Sequence, residues 1–268
     1  MTLYEAILAR RSVRTFSGGM LSREEADALM NYAKNVKNPY GLTVNWHFLP
    51  AGGKISSPVI VGEPAYITGT VPRTVHAEEA FGYAFEEVLL YALTLGIGSV
   101  WIAGTMDRAA FETAVGLTGG ELMPCVSPVG KFAEKMSLRE SVMRKGVGAD
   151  NRKPAHELFF DGSFDKPLAV VGTHWLYDAL EAVRRAPSAV NRQPWRVIVT
   201  PTHAHFYEKK TAGYERNGMD LQKIDLGIAL CHFDLAAKDR GVSLTFGITD
   251  PGIPHPSDVF YVASYKFV

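Results

Sequence analysis

Two groups of side chains in this chain have the types and spacing to hold a charged, planar ligand, and they lie far apart along the sequence. The first is Arg10-Arg11-Ser12-Val13-Arg14-Thr15-Phe16. Guanidinium forks hydrogen-bond phosphate oxygens in pairs, and a hydroxyl beside them adds a donor, so this cluster suits a dianion. The second is Ala186-Pro187-Ser188-Ala189-Val190-Asn191-Arg192-Gln193-Pro194-Trp195, running into the apolar Val197-Ile198-Val199. Its hydroxyl and carboxamides offer donors and acceptors to the edge of a heteroaromatic ring. Together they suggest one phosphorylated cofactor gripped between two parts of the molecule. Each cluster also has a plainer reading, a solvated basic helix end for the first and an ordinary turn before a strand for the second. The ending Asn-x-Gln-Pro-Trp is more specific than a turn requires.

Other chemistries find less support. His203-x-His205 is the nearest approach to a metal pair among the eight histidines, and it reads as a solvated loop. No Gly-x-Ser-x-Gly or phosphate-loop pattern occurs. Cys125 and Cys231 are isolated and read as buried small hydrophobes in a reducing compartment. The 28 basic and 28 acidic side chains cancel, which argues against a nucleic-acid partner bound through a broad basic field. No apolar run reaches the ~20 residues of a membrane span. The start, Met1-Thr2-Leu3-Tyr4-Glu5, is unlike a signal peptide. The expectation is a cytoplasmic protein with a small-molecule substrate. With 268 residues, 47% of them hydrophobic, the chain can bury a large core.

The elements that must position the two clusters follow from periodicity and caps. Residues 1–16 read as a short helix ending in the basic cluster. Ser22 with Glu25 forms a capping box for a helix to about Lys34. Asn45–Leu49 and Pro58–Val61 read as strands around the turn at Gly52-Gly53-Lys54. A longer helix runs from Ala77 to Leu95, apolar at Phe81, Phe85, Val88, Leu89 and Ala92, and ends at Gly96. Ser99 to Gly104 reads as a loop or strand, and Asp107 opens a short helix through Val115. Residues 139–170 show little periodicity and read as a connector over the surface. Helices at Leu176–Arg185 and Asp225–Lys238 follow, with strands at Arg196–Val199 and Phe206-Tyr207. The stretches Gly62–His76 and 208–220 read as covers.

The order of elements repeats. Tyr32–Leu49 can be laid on Ala182–Val199, and Tyr91-Ala92-Leu93-Thr94-Leu95-Gly96 resembles Ala236-Ala237-Lys238-Asp239-Arg240-Gly241. The organisation expected is a first half at 1–138, a connector at 139–170 and a second half at 171–268.

These residues resemble the nitroreductase family of flavin-dependent oxidoreductases. The family's Arg-Arg-Ser-x-Arg-x-Phe signature stands at Arg10 to Phe16, and its Ala-Pro-Ser-x-x-Asn-x-Gln-Pro-Trp signature at Ala186 to Trp195. Leu93 to Gly98 followed by Trp101-Ile102-Ala103-Gly104 resembles its segment beside the flavin ring. Val129 to Lys135 and Asn151-Arg152-Lys153-Pro154 resemble its glycine turn and basic tail. The resemblance implies an α+β, nitroreductase-like fold. Here each half keeps only one signature, so two divergent α+β half-repeats would form an intrachain pseudo-dimer, a monomer with one FMN.

It also implies site roles. Arg10, Ser12 and Arg152 would hold the FMN phosphate and ribityl chain, with Arg11, Arg14 and Lys153 beside them. Pro187, Ser188, Asn191 and Gln193 would approach the ring, and Trp101, Ile102, Ala103 and Gly104 would line it. No protein residue need be catalytic, because the flavin carries the chemistry. NADH or NADPH passes hydride to flavin N5, then a small electron-poor acceptor such as a nitroaromatic or quinone is reduced in ping-pong fashion. Alternatives are a flavin-binding sensor or carrier with little turnover, or a specialised flavin dehydrogenase or dehalogenase of the same fold. Trp195 reads as buried support, and Lys54 as a surface turn lysine.

Overall fold

The computed structural model describes residues 1–267 except 138–139, 143–145, 147, 149–150, 170–173 and 217. Two reciprocal capping boxes open its first helices. Thr2 and Glu5 start α1 (Leu3–Ala9), and Ser22 and Glu25 start α2 (Arg23–Asn35). Each box satisfies two backbone donors that a helix end would otherwise leave orphaned.

α1 stops at Ala9, so the Arg-rich segment, expected as a helix end, is extended instead. The cause is pairing. Val13 N–H donates to Ser99 O at 2.9 Å, Phe16 N–H to Val61 O at 2.8 Å, and Val61 N–H to Arg14 O at 3.0 Å. Extended backbone alternates sides, so Val13 is buried while Arg10, Ser12 and Arg14 share the opposite side.

The first sheet joins β1 (Asn45–Pro50), β2 (Ala65–Pro72), β5 (Val126–Gly130) and β3 (Gly98–Ser99) in that order, with β4 (Glu121–Leu122) also paired to β2. Two expectations fail here. Within Pro58–Val61 only Val61 makes a β contact, a single bridge to Thr15. The supposed cover at Gly62–His76 contains β2, buried at every residue from Ala65 to Val71. A strand buried on both faces lacks the alternation that marks a half-exposed one, and Thr68, Gly69 and Thr70 disguise it as loop. α4 (Arg108–Ala114) is capped by Asp107, as expected.

The second half brings α5 (Ala155–Leu158), β6 (Phe159–Asp161), α6 (Trp175–Arg185), β7 (Trp195–Val199) and β8 (His203–Lys209). A small hairpin of β9 (Glu215–Arg216) and β10 (Met219–Asp220) precedes α7 (Leu221–Asp239), and β11 (Thr245–Gly247) and β12 (Val259–Lys266) complete the second sheet. Its order is β11-β12-β8-β7-β6, with β6 parallel to β7. Part of the supposed surface connector is therefore core, since Leu158 and Phe159 are buried and β6 pairs with β7. The boundaries expected at 138/139 and 170/171 lie outside the described residues.

The halves meet through α3 (Ala77–Thr94) and α7. A Cβ on Gly82 would stand 2.2 Å from Ile224 O, and one on Gly227 would stand 2.1 Å from Glu79 O. One offset along the chain relates Gly82 to Gly227 and Glu79 to Ile224, so the contact is reciprocal, as in a two-fold dimer interface. The same offset relates the helix ends. Gly96 (φ 72) and Gly241 (φ 71) follow α3 and α7, with Ile97 N–H bonded to Ala92 O and Val242 N–H to Ala237 O, both at 2.9 Å. The chain is an internal pseudo-dimer of two α+β halves. Ile67 and Phe85 of the first half share one hydrophobic core with Trp195 and Phe206 of the second.

Candidate functional site

A cavity of about 610 Å³ opens where the extended Arg-rich segment meets the turn before β7. That volume lies within the roughly 300–1,000 Å³ usual for ligand sites. Arg10, Arg11, Ser12, Arg14 and Arg152 form its cationic wall. Trp101, Ile102, Ala103 and Gly104 line it from the first half, and Pro187, Ser188 and Asn191 from the second. Residues of both sequence clusters thus share one space, together with the segment after α3.

Each wall is held by its own bonds. Trp101 Nε1 donates to Glu86 Oε2 at 2.7 Å, and its ring meets Phe85 edge-on at 4.8 Å. Ile102 and Val126 exchange backbone hydrogen bonds at 2.9 Å, which leads the next residues along the cavity edge. Arg108 ties down that loop, donating to the carbonyl oxygens of Ala103, Met123 and Pro124. Among the described residues the Ala103 and Gly104 amides have no acceptor, and a Cβ at Gly104 would meet nothing within 4 Å. Two backbone donors therefore stand where a ligand can approach closely.

The turn before β7 is strained and tightly bonded. Val190, Asn191 and Gln193 all have positive φ, at 50, 55 and 52°. Asp225 accepts the Ala189 N–H with both carboxylate oxygens, and Ser188 Oγ accepts the Gln193 N–H at 2.9 Å. Asn191 Nδ2 donates to Gly148 O and Asn151 O, and its Oδ1 accepts from Arg152 at 3.1 Å. Asn191 thereby docks the basic segment against the turn.

Two predicted site residues do not line the cavity. Gln193 is buried and acts from behind, accepting the Lys153 N–H at 2.9 Å. Lys153 has its ammonium 3.5 Å from Glu157. Lys54 sits away from the cavity in its exposed turn, and Trp195 is fully buried support.

Sequence reasoning missed several lining residues. Leu221, Ile224, Asp225 and Ile228 come from the first turns of α7, and Val59 and Cys125 from the first half. Burial pushes the Cys125 thiol up to about 12, so it stays protonated and apolar in character. Burial also pushes the Asp225 carboxyl well above the carboxylate range. The helical spacing of Ile224 and Ile228 was the available signal, but in so apolar a helix every face looks like core. Gly213, Tyr214 and Arg216 stand at the rim, so part of the expected 208–220 cover reaches the site. Arg192 Nε donates to the Tyr214 hydroxyl at 2.8 Å, steadying that rim.

The donor set fits a phosphorylated, planar heteroaromatic group such as FMN. Arginines and Ser12 would take the phosphate and the polyol beside it, the amides of Ala103 and Gly104 would face polar ring atoms, and Trp101, Ile224 and Ile228 supply apolar walls. The fold's other side differs. The chain offset that pairs Gly96 with Gly241 pairs Trp101 with Phe246. Phe246 packs against Tyr40 at 4.9 Å and Tyr265 at 5.5 Å, and Tyr40 stacks on His76 at 5.0 Å. Phe246 thus stands among Tyr40 and Tyr265, whereas Trp101, packed on Phe85, also faces the cavity. No group of residues placed to hold a metal ion, and no helix long and apolar enough to cross a membrane, occurs among the described residues. His203 and His205 stack on each other at 5.3 Å, with His205 bonded to Ser264.

A family model described as "Putative TM nitroreductase" matches residues 2–237. Among solved structures, a putative nitroreductase from Thermotoga maritima is 17% identical, covering 100% of this chain and 93% of that one with a TM-score of 0.64, a likeness of fold. A nitroreductase with bound FMN from Bacteroides fragilis is 20% identical over 51% of this chain and 91% of its own, with a TM-score of 0.41. An FMN-dependent nitroreductase from Clostridium difficile is 17% identical over 52% of this chain and 94% of its own, with a TM-score of 0.40. No curated protein matches the chain.

Proposed function

Since the chain belongs to the family described as "Putative TM nitroreductase", we propose that it is an FMN-dependent oxidoreductase that uses NADH or NADPH to reduce small electron-poor acceptors such as nitroaromatics or quinones. The observation that carries this reading is the meeting of the Arg-rich segment, the Pro-Ser-x-x-Asn turn and the open Ala103-Gly104 backbone around one cavity. When bound, FMN supplies the electron transfer itself, and the chain's task is to bind, orient and shield it.

Arg10, Arg11, Ser12, Arg14 and Arg152 would hold the phosphate and ribityl chain. Ser188 and Asn191 would meet the ring from the second half, with Gln193 and Lys153 supporting the turn and the basic segment from behind. The Ala103 and Gly104 amides would stabilise negative charge that develops on the ring, as fixed donors do in a low-dielectric site. Tyr214 and Arg216, at the rim, would meet the incoming nicotinamide or acceptor.

The test begins with an absorbance spectrum and a flavin-to-protein ratio. Stopped-flow mixing of the yellow protein with NADH and with NADPH should then bleach the flavin, and adding a quinone or nitroaromatic should restore it. A flavin that binds but is not reduced by either nucleotide would leave a carrier or sensor. A protein that takes up no FMN would overturn the proposal.

A further inference from the structure

The crossing of α3 and α7 gathers a second polar group in the core, behind the Arg-rich segment. Beyond Gly82 and Gly227 along their helices stand Glu86 and His232, each with no exposed surface. Three contacts converge on the Glu86 carboxyl. His232 Nε2 lies 2.9 Å from Oε1, Trp101 Nε1 donates to Oε2 at 2.7 Å, and Arg10 Nε stands 3.5 Å from Oε1. On its other side His232 places Nδ1 at 2.8 Å from the carbonyl oxygen of Ala182.

This geometry counts protons. A carbonyl oxygen can only accept, so Nδ1 carries a hydrogen. An ionised carboxylate can also only accept, so the Nε2–Oε1 contact needs another hydrogen, on Nε2 or on Glu86. Trp101 cannot supply it, because its one N–H already points at Oε2. The pair therefore holds one proton more than a carboxylate and a neutral imidazole would. The same carboxyl receives the Trp101 N–H on Oε2 and faces the Arg10 guanidinium beside Oε1, an environment that suits its ionised form, so the extra proton belongs on His232.

The consequence reaches the cavity, because Arg10 and Trp101 both line it. Arg10 and Glu86 alone would cancel, and the cationic wall would lose one of its charges. With a doubly protonated His232 the three groups sum to one positive charge. We propose that His232 is a positioning residue of the cofactor site: as a buried imidazolium it neutralises Glu86, so that Glu86 can fix Arg10 and Trp101 without cancelling the charge Arg10 offers to an anionic ligand group. The proposal rests on the FMN reading for the identity of that anion, whereas the proton itself does not.

Two measurements test it. In ¹⁵N-labelled protein without flavin, near neutral pH, His232 is assigned through its neighbours Cys231 and Phe233. Both its ring nitrogens should show the shifts of protonated imidazolium, and a neutral ring would overturn the proposal. In fluorescence titrations, His232→Gln should weaken FMN binding by about tenfold, since one charge acting on a dianion in a half-buried site is worth that much. Riboflavin, which lacks the phosphate, should bind nearly as it does to the wild type. The pair Glu86→Gln/His232→Gln removes the charge that His232 offsets, while the Gln carboxamide oxygen can still accept the Trp101 N–H, and should recover FMN affinity. Equal weakening of both flavins, or no recovery in the pair, would mean a packing role and overturn the proposal. If His232→Gln alone does not fold, the paired variant and the imidazole shifts decide. A wild-type protein that binds neither flavin would overturn the proposed function and leave the imidazole shifts to decide the proton.

Discussion

Val190 shows how much single residues are asked to hold at this site. A β-branched side chain at φ 50 costs on the order of 1–2 kcal/mol, and this one is 62% exposed, so packing does not repay it. The turn persists because Asp225 grips the Ala189 amide and Ser188 the Gln193 amide, and its shape delivers Asn191 to Arg152. Val190→Asn, a residue that tolerates the left-handed region, should raise stability by about 1 kcal/mol in a denaturant melt. A loss of stability would mean that the valine methyls make contacts that matter. Glu208 is a second residue under tension. Burial, and then the neighbouring charge of Asp220, push its carboxyl from 4.5 up to about 7. A value raised in the folded state means that its contribution is full below about pH 4.5 and is lost as pH climbs towards 7. Glu208→Gln should therefore stabilise the protein by about 1–3 kcal/mol above pH 7, change little near pH 4.5 and flatten the pH dependence between. Thermal melts across that range check it, and parallel wild-type and variant curves would refute the assignment.

At the scale of elements, α3 and α7 decide how the site forms. Their backbones touch at Gly82 and Gly227, so a methyl at either would land 2.2 or 2.1 Å from a carbonyl oxygen of the other helix. Gly82→Ala should cost about 3 kcal/mol or more, because the helices must part along a packed core. Gly247→Ala, where a Cβ meets nothing within 4 Å, is the control and should melt near the wild type. Equal melting of the two variants would deny the close crossing. Both helices were legible in the sequence, since apolar spacing ran unbroken from Ala77 and a glycine closed each. β2 was not, because burial on both faces erased its alternation, and Thr68 and Thr70 satisfy their hydroxyls inside, on Cys125 O and Glu121. The candidate site was legible where it is built from contiguous motifs, at Arg10 to Arg14 and at Pro187 to Asn191. It was illegible where partners meet only in space. Nothing in the local sequence says that Arg108 holds the Ala103 carbonyl, that Asn191 bonds Gly148, Asn151 and Arg152, or that Glu86 faces His232.

Over the whole molecule, the reciprocal helix contact is that of a symmetric dimer, yet the two sides of its pseudo-two-fold are not equivalent. On one side Trp101 faces a cavity lined by arginines. On the other its counterpart Phe246 is closed in by Tyr40 and Tyr265, with His76 stacked on Tyr40. The first half carries Arg10, Arg11 and Arg14 of the cavity wall, and the second carries the Ser188–Asn191 turn. A symmetric homodimer of such halves would present two equivalent environments, and here those of Trp101 and Phe246 differ. The ring cluster around Phe246 has an energetic use, since packing large rings against one another stabilises by more than their area alone. The α3 and α7 faces are covered by each other within the one chain. The expected outcome is a monomer of 29.4 kDa that binds a single FMN. Light scattering coupled to gel filtration gives the mass, and absorbance at the flavin band against total protein gives the ratio. Two flavins per chain would mean that the aromatic cluster opens to make a second site. An obligate dimer with one flavin per chain would mean that fusion left a surface still in need of a partner.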